Sequence, residues 1–272
     1  MQLQDKVAFI SGGGGGIGGG MAEAFVERGM FVVVADIELD YARDEAAKLG
    51  DRALALALDV TRLDSWDAAQ EAALARFGRV DVLCNNAGVS TTRTALDRFA
   101  PEEFERVMAI NVTGVFNGVR TFAGEMRERR SGHIVNTSSM NGLSPYGTLA
   151  AYSASKFAVF GLSDALREEL APHGVGVSTL FPGLTRSRMS LNRKSGADVG
   201  DLPRLVLEAN MMEPIWLGRA VAAAIEANAP YIVTHPEYKP HTEARFGAIL
   251  EAFGEPAQPG YSTGGSATKG RG

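Results

Sequence analysis

The sequence predicts a single α/β domain in which helices cover both faces of one doubly wound parallel β-sheet of about seven strands. Three observations lead to this fold class. Short apolar runs alternate with longer segments of helical periodicity, which is the pattern of βαβ units. The first run passes through a glycine-rich turn directly into a helical pattern. Each run ends in polar or tight-turning residues, as is typical of the carboxyl edge of a sheet that binds ligands.

The predicted elements follow one another along most of the chain. The strands are the segments KVAFI, FVVVAD, ALALALDV, VDVLCNNAG, GHIVNTSS, GVSTLFPG and PYIVT. The helices lie within residues 37–49, 63–77, 102–130 and 151–173. Pro101 suits the first turn of a helix, and Gly78 suits the end of one. We expect one domain over residues 1–253 and a mobile tail over 254–272, where Gly, Pro, Ser and Thr dominate.

The composition argues against several classes of protein. With 272 residues, of which 45% are hydrophobic and 22% charged, the chain resembles an ordinary globular domain. Its net charge of -5 offers no basic surface for nucleic acid or for an anionic membrane. The first residues lack the features of a secretory signal, and no apolar run approaches the roughly 18 residues of a membrane span. We expect a cytoplasmic protein without nucleic-acid or membrane partners.

The cysteine and histidine residues predict no special chemistry. Cys84 is the only cysteine and lies in an apolar run, so we interpret it as a buried, inert thiol. The four histidines have no paired spacing, which predicts no metal site. His235, next to Pro236 and Glu237, is interpreted as a turn residue, and the alternative is that it closes over the site.

The glycine run predicts a dinucleotide-binding turn of the Rossmann type. Eight of the nine residues after Ser11 are glycine, and an apolar strand and a helical pattern flank them. Glycines let the backbone approach a pyrophosphate, and the helix N-terminus supplies free N–H groups. A flexible linker is the alternative, but the flanks disfavour it. Gly12, Gly16 and Gly18 fit G-x-x-x-G-x-G, whereas Gly12, Gly15 and Gly18 fit G-x-x-G-x-x-G equally well.

Asp36 predicts the choice of cofactor. It ends the second strand about 20 residues after the glycine turn, where a carboxylate accepts hydrogen bonds from the adenosine ribose hydroxyls. The same charge repels a 2′-phosphate, and Gly15 and Ile37 occupy the positions where a compensating cation would lie. We therefore expect NAD rather than NADP. The alternative is that Asp36 only caps the following helix.

Tyr152 and Lys156 are candidates for acid–base chemistry. They are four residues apart at the start of a helical pattern, so their side chains lie on one face. An ammonium beside a phenol stabilises the phenolate and lowers the phenol pKa from about 10, which makes the tyrosine a usable base. Ser139, at the end of a predicted strand, precedes Tyr152 by thirteen residues.

These motifs occur in an order that carries a family resemblance. The order is SGGGGGIG, Asp36, LDV at 58–60, NNAG at 85–88, Asn111, Ser139, YSASK and PG at 182–183. Over nearly its whole length the chain resembles the short-chain dehydrogenases/reductases of the compact type. The interval of thirteen residues between Ser139 and Tyr152 is typical of that type, so the resemblance selects the G-x-x-x-G-x-G arrangement. It also disfavours an epimerase or a dehydratase, whose interval is longer.

The resemblance implies a role for each matching residue. Tyr152 would be the catalytic acid/base, and Lys156 would lower its pKa and hold the nicotinamide ribose. Ser139 would hydrogen-bond the substrate oxygen, and Asn111 would hold a water molecule behind Lys156. The implied cofactor contacts are Ser11, Gly12, Gly16, Ile17, Gly18, Asp36, Ile37, Asp59, Val60, Asn86, Ala87, Gly88, Tyr152, Lys156, Pro182, Gly183, Thr185 and Ser187.

Departures from the family pattern bear on substrate and assembly. Ser11 replaces the usual threonine, and both Thr185 and Ser187 follow the PG pair, which leaves open which hydroxyl meets the nicotinamide carboxamide. The usual C-terminal ITG…VDGG is missing. We still expect a homodimer or homotetramer through the long helices that carry Asn111 and Tyr152.

The resemblance implies that the region at about 184–215 is a substrate lid, and its Met and Leu content suits a bulky apolar substrate. An ordinary pair of helices that packs its apolar face into the core is the alternative, and it explains this content equally well. The ending NAPYIVTHPE resembles dehydrogenases of bulky hydrophobic secondary alcohols, including lignin-derived aryl ethers. The predicted activity is the NAD-dependent interconversion of such an alcohol and its ketone. The alternative is a non-catalytic protein that senses NAD(H) on the same fold.

Overall fold

A computed structural model describes residues 1–187 and 211–254 of the chain. The chain divides into two compact units, Met1–Pro236 and Glu237–Gly272. The prediction of one domain over residues 1–253 is not tested by this division and stays a prediction. Most of the predicted lid (188–210) and nearly all of the predicted tail (255–272) lie outside the described residues.

The first unit contains a single seven-stranded sheet. Its strands are β1 (Val7–Ser11), β2 (Phe31–Asp36), β3 (Ala53–Ala57), β4 (Val82–Asn85), β5 (Gly132–Thr137), β6 (Val175–Phe181) and β7 (Tyr231–Val233). The strand order is β3-β2-β1-β4-β5-β6-β7, and neighbouring strands pair in parallel throughout. This arrangement confirms the predicted fold class. Every strand overlaps a predicted segment, and β1 and β6 each extend one residue beyond theirs.

Helices connect the strands on both faces. They are α1 (Gly16–Glu27), α2 (Leu39–Leu49), α3 (Leu63–Phe77), α4 (Pro101–Met108), α5 (Gly114–Glu128), α6 (Ala150–Leu170) and α7 (Pro214–Ala227). A further helix, α8 (Lys239–Glu251), follows the last strand and belongs to the second unit. The sequence predicted one helix over 102–130. The structure instead has α4 and α5 joined by a π-helical turn, Ala109–Thr113. Among the described helices, none combines the length and apolar content needed to cross a membrane.

Two apolar cores, one on each face, hold the sheet in place. On one face the buried residues come from α1, α2 and α7, and on the other they come from α3, α5 and α6. Phe9 of β1 anchors the second core, with ring centroids 5.7 Å from Trp66 and 5.0 Å from Phe122. Full burial of one such side chain stabilises the fold by roughly 2 kcal/mol. The cores thereby fix the carboxyl edge of the sheet as a rigid rim.

Close packing of α1 explains glycines that a phosphate-binding turn does not need. A Cβ atom on Gly20 would lie 2.3 Å from the carbonyl oxygen of Pro214, at the start of α7. A Cβ atom on Gly218 would lie 2.0 Å from the carbonyl oxygen of Gly20. The two helices therefore cross backbone to backbone. Gly19 instead faces the carboxyl group of Glu45, whose Cδ would lie 3.0 Å from an added Cβ.

Candidate active site

A cleft at the carboxyl edge opens where the strand order reverses, between β1 and β4. Parallel sheets of this kind bind ligands at such a switch point. The cleft has a volume of about 650 Å³. It brings together most of the predicted site residues, which are Gly12, Gly16, Ile17, Asp36, Ile37, Asp59, Val60, Asn86, Ala87, Gly88, Tyr152, Lys156, Pro182 and Ser187.

The glycine turn has the shape of a phosphate cradle. Gly12 and Gly16 have φ angles of 63° and 55°, in the left-handed region that favours glycine. A Cβ atom on Gly12 would lie 2.8 Å from the Cα of Ala87, and one on Gly18 would lie 2.2 Å from the carbonyl oxygen of Gly12. Helix α1 begins at Gly16, so its free N–H groups face the cleft. The turn fits the pyrophosphate of a dinucleotide.

Ser11 ties this turn to the next strand along the sheet. It is buried, and its hydroxyl donates to the carbonyl of Cys84 at 3.3 Å. The same oxygen accepts hydrogen bonds from the backbone N–H groups of Asn86 at 3.0 Å and Ala87 at 3.2 Å. A serine therefore supplies the hydroxyl that the usual threonine would supply. Burial raises the pKa of the Cys84 thiol, which agrees with its interpretation as inert.

Asp36 lies on the rim and also caps the turn before α2. Its Oδ2 accepts from the N–H of Gly14 at 3.0 Å, and its Oδ1 accepts from the N–H of Glu38 at 3.2 Å. Both sequence-based interpretations of this carboxylate are thus compatible with its position. One cation that lines the cleft, Arg106, belongs to no motif in the sequence. It pairs with Glu103 through two contacts of 2.7 Å, which offsets its charge.

The cleft is also lined by residues outside the predicted site set. Asp59 accepts hydrogen bonds from the backbone and the hydroxyl of Thr61 at 3.0 and 2.7 Å, so its carboxylate is fixed. The other lining residues outside the predicted set are Gly15, Leu58, Thr61, Val89, Ala109, Ile110, Thr137 and Ser138. Most are neighbours in sequence of predicted residues, and that adjacency is the signal that could have found them.

Tyr152 and Lys156 both reach the cleft from the first turns of α6. Lys156 is 4% exposed, and its Nζ donates to the carbonyl oxygen of Thr137 at 3.0 Å. The Nζ atom lies 5.7 Å from the centroid of the Tyr152 ring. Burial lowers the pKa of Lys156 to about 8. A cation that loses its proton this readily is typical of functional sites rather than of structural ones.

Asn111 lies in the π-helical turn, behind the cleft. Its Oδ1 accepts from the N–H of Val89 at 2.8 Å, and its Nδ2 donates to the carbonyl of Val89 at 2.9 Å and to the Ser155 hydroxyl at 3.0 Å. A Cβ atom on Gly88 would lie 3.2 Å from Asn111 Oδ1 and 3.4 Å from Lys156 Nζ. Asn111 therefore joins the loop after β4 to α6 close to the lysine, as π turns at functional sites often do.

The two serines after β5 differ in placement. Ser138 lines the cleft, and its hydroxyl donates to the carbonyl of Lys156 at 2.8 Å. Ser139, the predicted catalytic serine, is 6% exposed and is not among the lining residues. Its oxygen accepts from the N–H of Asn141 at 3.1 Å. This bond uses Ser139 as an acceptor and leaves its hydroxyl proton for another acceptor.

The turn after β6 separates the two hydroxyls that the sequence could not distinguish. Ser187 lines the cleft, and a Cβ atom on Gly16 would lie 2.7 Å from the Ser187 Cβ. Thr185 is buried and donates to the carbonyl of Gly183 at 3.3 Å. The N–H of Gly183 in turn donates to Nδ1 of His235 at 3.0 Å. His235 is therefore part of the support for this turn, which its local sequence did not indicate.

Comparisons with known proteins find similar sequences along most of the chain. The profile of the short chain dehydrogenase family matches residues 6–198. The 3-alpha-(or 20-beta)-hydroxysteroid dehydrogenase of Mycobacterium tuberculosis is 41% identical over 191 residues, which cover 70% of this chain and 72% of that protein. The C alpha-dehydrogenase of Sphingobium sp. strain SYK-6 is 30% identical over 265 residues, which cover 92% of this chain and 87% of that protein.

A solved structure extends the similarity to the whole fold. The structure of a short chain dehydrogenase/reductase from Burkholderia phymatum, in complex with NAD, aligns with a TM-score of 0.83 at 29% identity. The alignment covers 92% of this chain and 96% of that chain. The residues matched by the family profile include β1 to β6, and hence most of the rim of the cleft.

Proposed function

The chain belongs to the short-chain dehydrogenase family, a family of oxidoreductases, and on that premise we propose that it interconverts a bulky hydrophobic secondary alcohol and its ketone with NAD as cofactor. The observation that carries the proposal is the placement of Tyr152 and Lys156 on the cleft, with Asn111 hydrogen-bonded to the Ser155 hydroxyl of the same helix. A protein that only senses NAD(H) has no use for an acid–base pair at this position. The non-catalytic alternative is therefore disfavoured.

The residues divide the work of the reaction among them. When bound, a nicotinamide cofactor accepts the hydride of the alcohol carbon or returns it to the ketone. The Tyr152 phenolate removes the alcohol proton, and the protonated phenol returns it in the reverse direction. The Lys156 ammonium, oriented by the carbonyl of Thr137, stabilises the phenolate. The hydroxyl of Ser139 donates to the substrate oxygen, where charge develops in the transition state.

The preference for NAD over NADP rests on Asp36. Its carboxylate is held on the rim by the N–H groups of Gly14 and Glu38, so it cannot readily turn away from a 2′-phosphate. Of the lining residues, only Arg106 and Lys156 are cationic, and Glu103 offsets the charge of Arg106. A related structure described as a complex with NAD supports the same cofactor.

The substrate class rests on the relatives and on the sequence of the predicted lid. The names of two relatives describe a hydroxysteroid dehydrogenase and a C alpha-dehydrogenase. We infer that a bulky secondary alcohol also suits this chain. The Met and Leu residues predicted to contact it lie mostly in 188–210, outside the described residues.

We also propose a homodimer or homotetramer in the cytoplasm. The outer faces of α5 and α6 form an apolar groove of about 500 Å³, and Phe116 on this surface is 50% exposed. An exposed aromatic side chain beside an apolar groove favours a protein contact. The usual C-terminal sequence of the family, ITG…VDGG, is missing. A dimer through α5 and α6 does not need that sequence, so it is the simpler of the two assemblies.

The test is turnover with purified protein. NAD or NADP is supplied with aryl, terpenoid, steroid and short aliphatic secondary alcohols, and formation of the reduced nicotinamide is followed. We expect NAD-dependent oxidation of the bulky alcohols and a loss of at least about 10²-fold in Tyr152→Phe. Tyr231→Phe, which removes a half-exposed phenol from the edge strand β7, is the matched control and should stay active. Tight NAD binding without turnover of any alcohol or ketone would favour the sensor instead.

A further inference from the structure

His235 is a buried residue that supports the cofactor cleft from behind. It follows β7, is 6% exposed and does not line the cleft itself. Its imidazole contacts the turn at residues 182–184, which follows β6 and contributes Pro182 to the cleft. The contact joins residues that are 52 positions apart in the sequence.

The hydrogen bonds fix the tautomer of this imidazole. Nδ1 lies 3.0 Å from the backbone nitrogen of Gly183 and 2.9 Å from the Thr234 hydroxyl. Because the backbone N–H can only donate, Nδ1 must be the unprotonated acceptor. The proton of the neutral ring is then on Nε2, which donates to the carbonyl of Leu184 at 3.3 Å. The imidazole therefore accepts a hydrogen bond from one backbone group of the turn and donates one to another.

The ring also fixes the turn by contact. A Cβ atom on Gly183 would lie 2.5 Å from Cγ and 2.6 Å from Cδ2 of His235, so the imidazole packs directly against the backbone. On the other side, the N–H of Met140 donates to the carbonyl of Pro182 at 3.0 Å. Met140 follows Ser139 directly. The turn is thus held between the imidazole and the segment that carries the proposed catalytic serine.

We propose that His235 is a positioning residue that sets the place of the 182–184 turn and thereby the affinity of the cleft for the nicotinamide half of the cofactor. The proposal rests on the proposed function, since it assumes that this end of the cleft receives the nicotinamide. It assigns no contact between His235 and the cofactor. Its effect passes through the N–H of Gly183 and the carbonyl of Leu184.

The test compares two ligands that differ in the nicotinamide. NADH contains the ring and ADP-ribose lacks it, and binding of both is measured with wild-type protein and with His235 variants. In His235→Phe the N–H of Gly183 loses its acceptor, and we expect NADH to bind about tenfold more weakly. ADP-ribose should bind within about twofold of wild type, because the glycine turn is unchanged.

Two conservative variants separate positioning from general damage. In His235→Asn the amide oxygen can occupy the place of Nδ1, and we expect most of the NADH affinity to return. In His235→Gln the amide nitrogen can replace Nε2 while the acceptor for Gly183 is lost, so NADH binding should remain weak. His173→Asn, at a partly exposed histidine after α6, is the control for a histidine substitution elsewhere.

The outcomes that overturn the proposal are distinct. Equal losses of NADH and ADP-ribose affinity, or equal effects of the Asn and Phe variants, would show that His235 has no specific positioning role. If His235→Phe did not fold, the comparison of NADH affinity between His235→Asn and His235→Gln would still test the positioning role. Failure of the wild-type protein to bind NADH at all would overturn the proposed function, and this proposal with it.

Discussion

The Nζ atom of Lys156 lies 3.0 Å from the carbonyl oxygen of Thr137, so a lysine of α6 is bound to the last residue of β5. Placing the ammonium there requires its burial, which lowers the pKa of Lys156 from 10.5 to about 8. A shift of this size corresponds to roughly 3 kcal/mol of destabilisation at pH 7. The buried charge of Lys156 therefore costs stability, as is common for ionisable groups at functional sites.

Lys156→Met should stabilise the protein while it abolishes activity. At pH 7 the wild type carries the full cost of the buried charge, so we expect the variant to unfold with a free energy higher by about 1–3 kcal/mol. Above pH 8 the folded wild type loses the proton, while the unfolded chain keeps it up to about pH 10.5, so the advantage shrinks. Urea unfolding at pH 7 and pH 10 measures this. A variant that is less stable than wild type at pH 7 would contradict the argument.

His133 should make stability fall as the pH falls below neutral. It is buried in β5, and its Nε2 lies 2.8 Å from the Ser178 hydroxyl. Burial is the main cause that lowers its pKa from 6.5 to about 4, with smaller contributions from the N-terminal amine and Arg167. The unfolded chain therefore binds a proton between pH 6.5 and 4 that the folded protein does not. Above pH 6.5 His133 is neutral in both states and does not lower the free energy of unfolding. At pH 5 the proton that only the unfolded chain binds lowers that free energy by about 2 kcal/mol.

His133→Gln isolates this effect, because the amide does not titrate. The free energy of unfolding is measured for both proteins at pH 7 and pH 5. We expect the drop between the two values to be about 2 kcal/mol smaller in the variant. Identical drops would mean that other groups cause the acid sensitivity.

The strands were predictable because their signals are local. An apolar run that ends in a polar residue, such as FVVVAD, can be recognised without information about the rest of the chain. The parallel pairing of the strands then follows from the helices between them. The same holds for Tyr152 and Lys156, whose spacing alone places them on one face of α6. Their position on the cleft follows from the fold.

Other features depend on contacts between distant parts of the chain. The π turn at Ala109–Thr113 accompanies bonds from Asn111 to Val89 and Ser155, neither of which is a sequence neighbour. His235 was interpreted as a turn residue because its partner, Gly183, lies 52 residues away. Long-range hydrogen bonds of this kind have no periodicity, so the local pattern of residues could not indicate them.

The charge of Asp36 should decide between NAD and NADP. Asp36→Asn keeps a carbonyl that can accept from Gly14 or Glu38 but removes the charge that opposes a 2′-phosphate. We expect the ratio of kcat/KM for NADP to that for NAD to rise roughly tenfold or more. Glu38→Gln removes the same charge two residues away, outside the cleft lining, and should change the ratio by less than about twofold. If both variants changed this ratio equally, the preference for NAD would depend on the net charge near the cleft and not on the position of Asp36.

The crossing of α1 and α7 should make Gly20 far less tolerant of substitution than its neighbour. In Gly20→Ala the new methyl group would meet the Pro214 carbonyl at 2.3 Å, so the helices must separate. We expect a loss of about 1–3 kcal/mol in the free energy of unfolding. In Gly19→Ala the methyl group meets only the end of the Glu45 side chain, which can move, and alanine favours the helix. That variant should match or exceed wild-type stability in the same urea experiment. Of the two glycines, Gly20 is the one that lies against α7. Equal losses of stability in both variants would therefore show that the contact with α7 is not the cause.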